Sequence, residues 1–130
     1  MTNRARNLLQ LDRNEEAFVV LLEAMEAFAK LGNERGRAGV GLALAELSAR
    51  VGDLQHALLF WSGVLEFAQR VGDEAMCFEA SIRMGRVHQH VGDDNQAGPA
   101  FAEALRAAKA LGDPDREEAA RKAMSASVSH

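Results

Sequence analysis

Val71-Gly72-Asp73 decides the fold, because it is one of five copies of the same joint. The others are Leu31-Gly32-Asn33, Val51-Gly52-Asp53, Val91-Gly92-Asp93 and Leu111-Gly112-Asp113, set twenty residues apart without slippage. Glycine adopts the left-handed conformation that ends a helix, and the Asp or Asn behind it accepts the first free N–H groups of the next helix. Five such joints predict a row of helices linked by minimal turns, which is a repeat protein. Each turn is expected within about two residues of its glycine.

The stretches between joints alternate between two kinds. Segments 14–31, 54–71 and 94–111 align: Ala17 with Ala57 and Ala97, Leu21 with Trp61 and Phe101, Ala24 with Val64 and Ala104, Met25 with Leu65 and Leu105. Segments 34–51 and 74–91 form the second kind, with Leu44 opposite Met84 and Ala45 opposite Gly85. The repeat is therefore forty residues long, a pair of helices. Small and large apolar residues four apart make one stripe at helical spacing, small ones admitting a neighbouring helix and large ones filling the gaps. Ala17, Leu21, Ala57, Trp61, Ala97 and Phe101 are expected to be buried.

Helices of about 17 residues would be about 26 Å long. About six are expected, with a short first one near Arg4–Leu11 and a short last one from Pro114 to about Ser125. The last has Asp113 as N-cap and Pro114 in its first turn. It sets Ala119, Ala120, Ala123 and Met124 against the helix before it, with Arg116, Glu117, Arg121 and Lys122 outside. Residues 1–125 read as a single helical repeat domain and 126–130 as a frayed tail. Pro99 breaks the pattern: its ring clashes with the Asn95 carbonyl, so the helix after Asp93 should kink or start late with Asn95 as cap.

Composition bounds the function. The 130 residues are 48% hydrophobic and 26% charged, as in a folded globular chain, and no stretch alternates with strand period. A net charge of −4 with no basic stripe argues against nucleic acid. No apolar run approaches the ~20 residues of a membrane span, and Met1–Asp12 lacks the apolar centre of a signal peptide. The lone Cys77 excludes an internal disulfide and suits a small buried residue in a reducing compartment, so the expected location is cytoplasmic.

Met84-Gly85 followed by Ala97, Phe101 and Ala104-Leu105 resembles the tetratricopeptide repeat pattern of Leu-Gly, Ala, Phe and Ala. The family's usual unit is about 34 residues, so the forty-residue period is similar to the long-helix subgroup of kinesin light chain and Rap-type peptide sensors. The resemblance covers residues 1 to about 125. Ala45 in place of glycine, Val64 in place of alanine, and Ser48 and His88 where an aromatic is usual are departures from it. The implied fold is all-α, a superhelical solenoid of antiparallel helix pairs.

Sequence signals for chemistry are few. Gly36-Arg-Ala-Gly39-Val-Gly41 lacks the Gly-Lys-Ser/Thr ending and the preceding strand of a phosphate loop; it reads as a soft helix that lets something pack closely. His88 and His90 point about 200° apart on a helix, and Cys77 lies some three turns from His88, so neither a metal site nor a nucleophile–base pair is expected. Trp61 reads as core. Glu15, Glu16, Glu23 and Glu26 read as a solvated face.

The resemblance implies a non-catalytic protein–protein interaction scaffold with no cofactor and no metal. By that resemblance the first helix of each pair lines a concave groove, which assigns Arg6, Leu9 and Gln10, then Leu42, Glu46 and Arg50, then Glu79, Ile82, Arg86, Gln89 and His90 to a surface for a peptide or partner helix. The clamp that chaperone-binding members use is missing, because Thr2 and Leu42 stand at its basic positions. The alternative is a homodimerising module, or a piece of a larger array. In it Leu8, Leu9 and Leu11 of the first helix, which no capping helix covers, form a contact between copies.

Overall fold

The computed structural model describes residues 3–128, with side chains from 13 to 126. The described residues form six helices and no strand. They are α1 (Asn3–Lys30), α2 (Glu34–Arg50), α3 (Leu54–Val71), α4 (Glu74–His90), α5 (Asp94–Leu111) and α6 (Pro114–Val128). The fold is an all-α helical array in which consecutive helices turn back on one another: α1 packs on α2, α4 on α5, and α5 on α6.

All five joints have the anticipated stereochemistry. Gly32, Gly52, Gly72, Gly92 and Gly112 have φ of +68°, +89°, +76°, +81° and +65°, and no other residue type takes a positive φ among those described. The residue after each glycine works in both directions. The Asp93 N–H donates back to the His88 carbonyl at 2.8 Å, closing the outgoing helix. Its carboxylate accepts from the Gln96 N–H, and its carbonyl accepts the first bond of α5 from the Ala97 N–H. Asn33, Asp53, Asp73 and Asp113 repeat all three contacts.

The expected short first helix does not exist as a separate element: α1 runs unbroken from Asn3 to Lys30. At the register of the joints stands Leu11-Asp12-Arg13, with Asp in the glycine's place. Without a residue that takes positive φ cheaply, the chain continues as helix. The late start of α5 at Asn95 is likewise overturned. Asp93 caps the helix, α5 begins at Asp94 and Pro99 lies inside it. Both Asn95 and Pro99 are exposed residues, and near a surface the carbonyl that loses its helical donor can be hydrated. The last helix extends to Val128, which makes 126–128 helical; residues 129–130 lie outside the described ones.

The chain divides into two compact units, Met1–Phe60 and Trp61–His130. In the first, Ala38, Leu44, Ala45 and Leu47 of α2 and Ala57 of α3 are buried. Here α1 and α2 approach closely at Gly36, where a Cβ would stand 2.6 Å from the Phe28 ring. This is the close packing expected of the glycine-rich helix. Forty residues on, the same two positions hold Ala68 and Met76, so the large side chain has changed sides of the joint. In the second unit the core gathers Ala68, Cys77, Phe78, Ile82, Ala97, Phe101, Ala104, Ala107, Ala108 and Ala120. Phe101, wholly buried, lies against Gly85, where an added Cβ would meet ring carbons at 2.5 Å.

Of the stripe expected to be core, Ala57, Trp61, Ala97 and Phe101 are buried, while Ala17 and Leu21 are half-buried. The two exceptions both belong to α1, which packs against α2.

Candidate binding surface

Helix α4 sorts its residues sharply. Cys77, Phe78, Ser81, Ile82 and Gly85 are buried. Glu79, Arg83, Arg86 and His90, at i, i+4, i+7 and i+11, make a row open to solvent to different degrees. Arg83 holds Glu79 at 2.7 Å through both Nε and Nη2, each side chain a little over a third exposed. Arg83 was not among the sequence candidates, although Glu79 four residues before Arg83 is the spacing that pairs charges along a helix. Helix α2 carries a shorter row of the same kind: Leu42 and Glu46 are half-buried and Arg50 exposed.

Two groove assignments change. Ile82 is 3% exposed and belongs to the core, because it shares a helical face with Phe78 and Gly85. Gln89 is half-buried and donates from Nε2 to the Ala123 carbonyl at 3.3 Å, so it ties α4 to α6. Arg6, Leu9 and Gln10, with Leu8 and Leu11, lie outside the residues whose side chains are described.

Electrostatics concentrate where α4 meets α5. Arg106 donates through Nε and Nη2 to Glu103, the shortest contact being 2.6 Å, and its Nη2 also lies 2.9 Å from Glu74 Oε2 as an ion pair. The hydrogen bond from Arg106 holds the Glu103 carboxyl below its ordinary range despite partial burial, with help from Gln69. The same carboxylates push the Arg106 guanidinium further above its ordinary value. The Arg116 guanidinium sits 5.4 Å from the centroid of Phe78 and steadies α6 against α4.

Reactive chemistry is sparse in these surroundings. Burial, followed by the charge of Glu74, pushes the Cys77 thiol up, away from the thiolate a nucleophile needs. Among the described residues, no three His, Cys, Asp or Glu side chains are grouped to hold a metal ion. No described helix is long and apolar enough to cross a membrane. Among the described residues, the buried donors Ser48 Oγ and Trp61 Nε1 find no hydrogen-bond partner. In comparisons with known proteins, no family model matches the chain and no curated sequence matches it significantly.

Proposed function

We propose that the protein is a non-catalytic binding module of tetratricopeptide type that holds an extended peptide or a partner helix along the open row of α4. The supporting observation is the row on α4, where Glu79, Arg83, Arg86 and His90 stay accessible on one side of a helix whose other side is core. Charges of both signs along a rigid helix favour orientation and salt-sensitive recognition of a charged segment. The row on α2, with Glu46 and Arg50 beside Leu42, offers the same chemistry within its own unit. The reading places the protein in the cytoplasm, with protein partners.

The test is charge reversal. Glu79→Lys with Arg86→Glu, and separately Glu46→Lys, should leave the helical circular dichroism spectrum intact because these side chains stand outside the core. Each should weaken capture of partners from a lysate of the source organism by about 1 kcal/mol per well-ordered contact, and most strongly at low salt. Identical partners, captured with identical salt dependence by the wild type and both variants, would remove these rows from consideration.

A further inference from the structure

Most cations of the second unit are already matched. Arg83 holds Glu79 at 2.7 Å, and Arg106 is shared by Glu74 and Glu103 at 2.9 and 2.6 Å. Lys122 pairs with Glu118 at 3.3 Å. Arg116 stands 3.6 Å from Asp113 and over the Phe78 ring. Arg86 departs from this pattern. It is exposed on α4 between Arg83 and His90, and among the described residues no carboxylate or ring engages it. His90, at the C-terminal end of the same row, is also exposed and has no partner among the described residues. Helix α6 brings no compensating charge to this end of α4. It is tied there by the bond from Gln89 Nε2 to the Ala123 carbonyl, and Ala119 and Ala120 in the turn before are uncharged too. The α4 row therefore holds two arginines against one carboxylate, although the chain as a whole carries a net charge of −4.

We propose that the open row of α4 takes an acidic protein segment, with one carboxylate on the Arg86 guanidinium and a second beside His90. The proposal rests on the reading of this row as a binding surface. A guanidinium receives a carboxylate through two parallel N–H···O bonds, and an imidazole donates through a ring N–H in either protonation state. Arg86 and His90 are four residues apart, ~6 Å along the helix axis. Carboxylates one turn apart on a partner helix have that spacing, and so do residues i and i+2 of an extended peptide, at ~6.6 Å. Glu79 lies ~10 Å from Arg86 along the axis, with Arg83 between them and bonded to it. A basic segment would meet Arg86 unscreened and would have to compete with Arg83 for Glu79.

The experiment uses the full chain and fluorescence anisotropy at low salt. The probe is a short alanine-based peptide with glutamate at every fourth position, compared with the same peptide carrying glutamine or lysine there. The wild type should bind the glutamate probe about tenfold or more tightly than the glutamine probe. Arg86→Gln should abolish most of that advantage with the helical spectrum unchanged. Lys109→Gln, the same change of charge on the exposed side of α5, should leave it intact. Binding of the lysine probe should be indifferent to Arg86→Gln. A glutamate probe held no better than the glutamine one, or equally well by wild type and Arg86→Gln, would overturn the proposal. Should Arg86→Gln or Glu79→Gln alter binding of the glutamine or lysine probe instead, the acidic preference fails while the row stands as a binding surface. If neither variant alters binding of any probe, the row and the preference fail together.

Discussion

Substituting Gly85 by alanine tests whether close approach or backbone freedom explains a glycine in the middle of α4. A Cβ at position 85 would stand 2.5 Å from Cδ1 and Cε1 of Phe101 and 3.0 Å from Cζ. The ring cannot swing away easily, since Phe101 is fully buried among Ala97, Ala104 and Ile82 of the same core. Overpacking of this kind costs about 1–3 kcal/mol, whereas alanine regains up to about 1 kcal/mol of helix propensity. Sterics win, and the net loss should be about 1–2 kcal/mol. Gly63, exposed on α3 in the same compact unit, has nothing within 4 Å of its would-be Cβ. Gly63→Ala should therefore stabilise by about 0.5–1 kcal/mol. Urea unfolding followed by circular dichroism and by emission of Trp61, which lies in the same unit, measures both. In a Phe101→Leu background, where the ring is gone, Gly85→Ala should lose most of its cost. If Gly85→Ala proved as stable as the wild type or more so, the close approach of Phe101 would not be what requires glycine.

Four further outcomes follow from the same packing. Trp61, 3% exposed, should emit at short wavelength in the native chain, and Trp61→Ala should cost about 3–5 kcal/mol in urea titration. Gly72→Ala should lose about 1–2 kcal/mol with no clash to blame, because nothing lies within 4 Å and only its φ of +76° is at stake. Ser48→Ala should raise stability by about 1 kcal/mol, since the buried Oγ has no partner among the described residues; a destabilised variant in thermal unfolding would contradict this. Arg106→Gln should let the Glu103 carboxyl titrate at higher pH by NMR. The Glu103 pKa is lowered by folding, so its contribution is present above the ordinary carboxylate range and lost as pH falls through the folded value. The wild type should exceed Arg106→Gln by about 0.2–1 kcal/mol at neutral pH and low salt, and by nothing in acid.

The joints and the helix type were legible because their causes are local. A left-handed glycine and a capping carboxylate act within six residues, so Val71-Gly72-Asp73 carries its own geometry wherever it stands. The missing first joint was legible too: Asp12 occupies the glycine's register, and the absence of glycine outweighs the twenty-residue period that suggested a break there. The face of each helix was harder to assign from a family pattern. Ile82 resembled a groove residue by alignment, yet the helical phase set by Phe78 and Gly85 turns it into the core. Arg83 was overlooked although Glu79 announces it.

What only tertiary packing decided were the sizes across interfaces and the surfaces left open. The sequence shows a glycine at 36 and another at 85, but not that Phe28 fills the first and Phe101 the second. It shows Val19 and Leu22 on a helix, but not that they lie on the side turned away from α2. Turns arise from the dihedral preferences of one or two residues, which a short stretch contains in full. Complementary packing depends on which distant side chain arrives, and that is settled only when the helices meet.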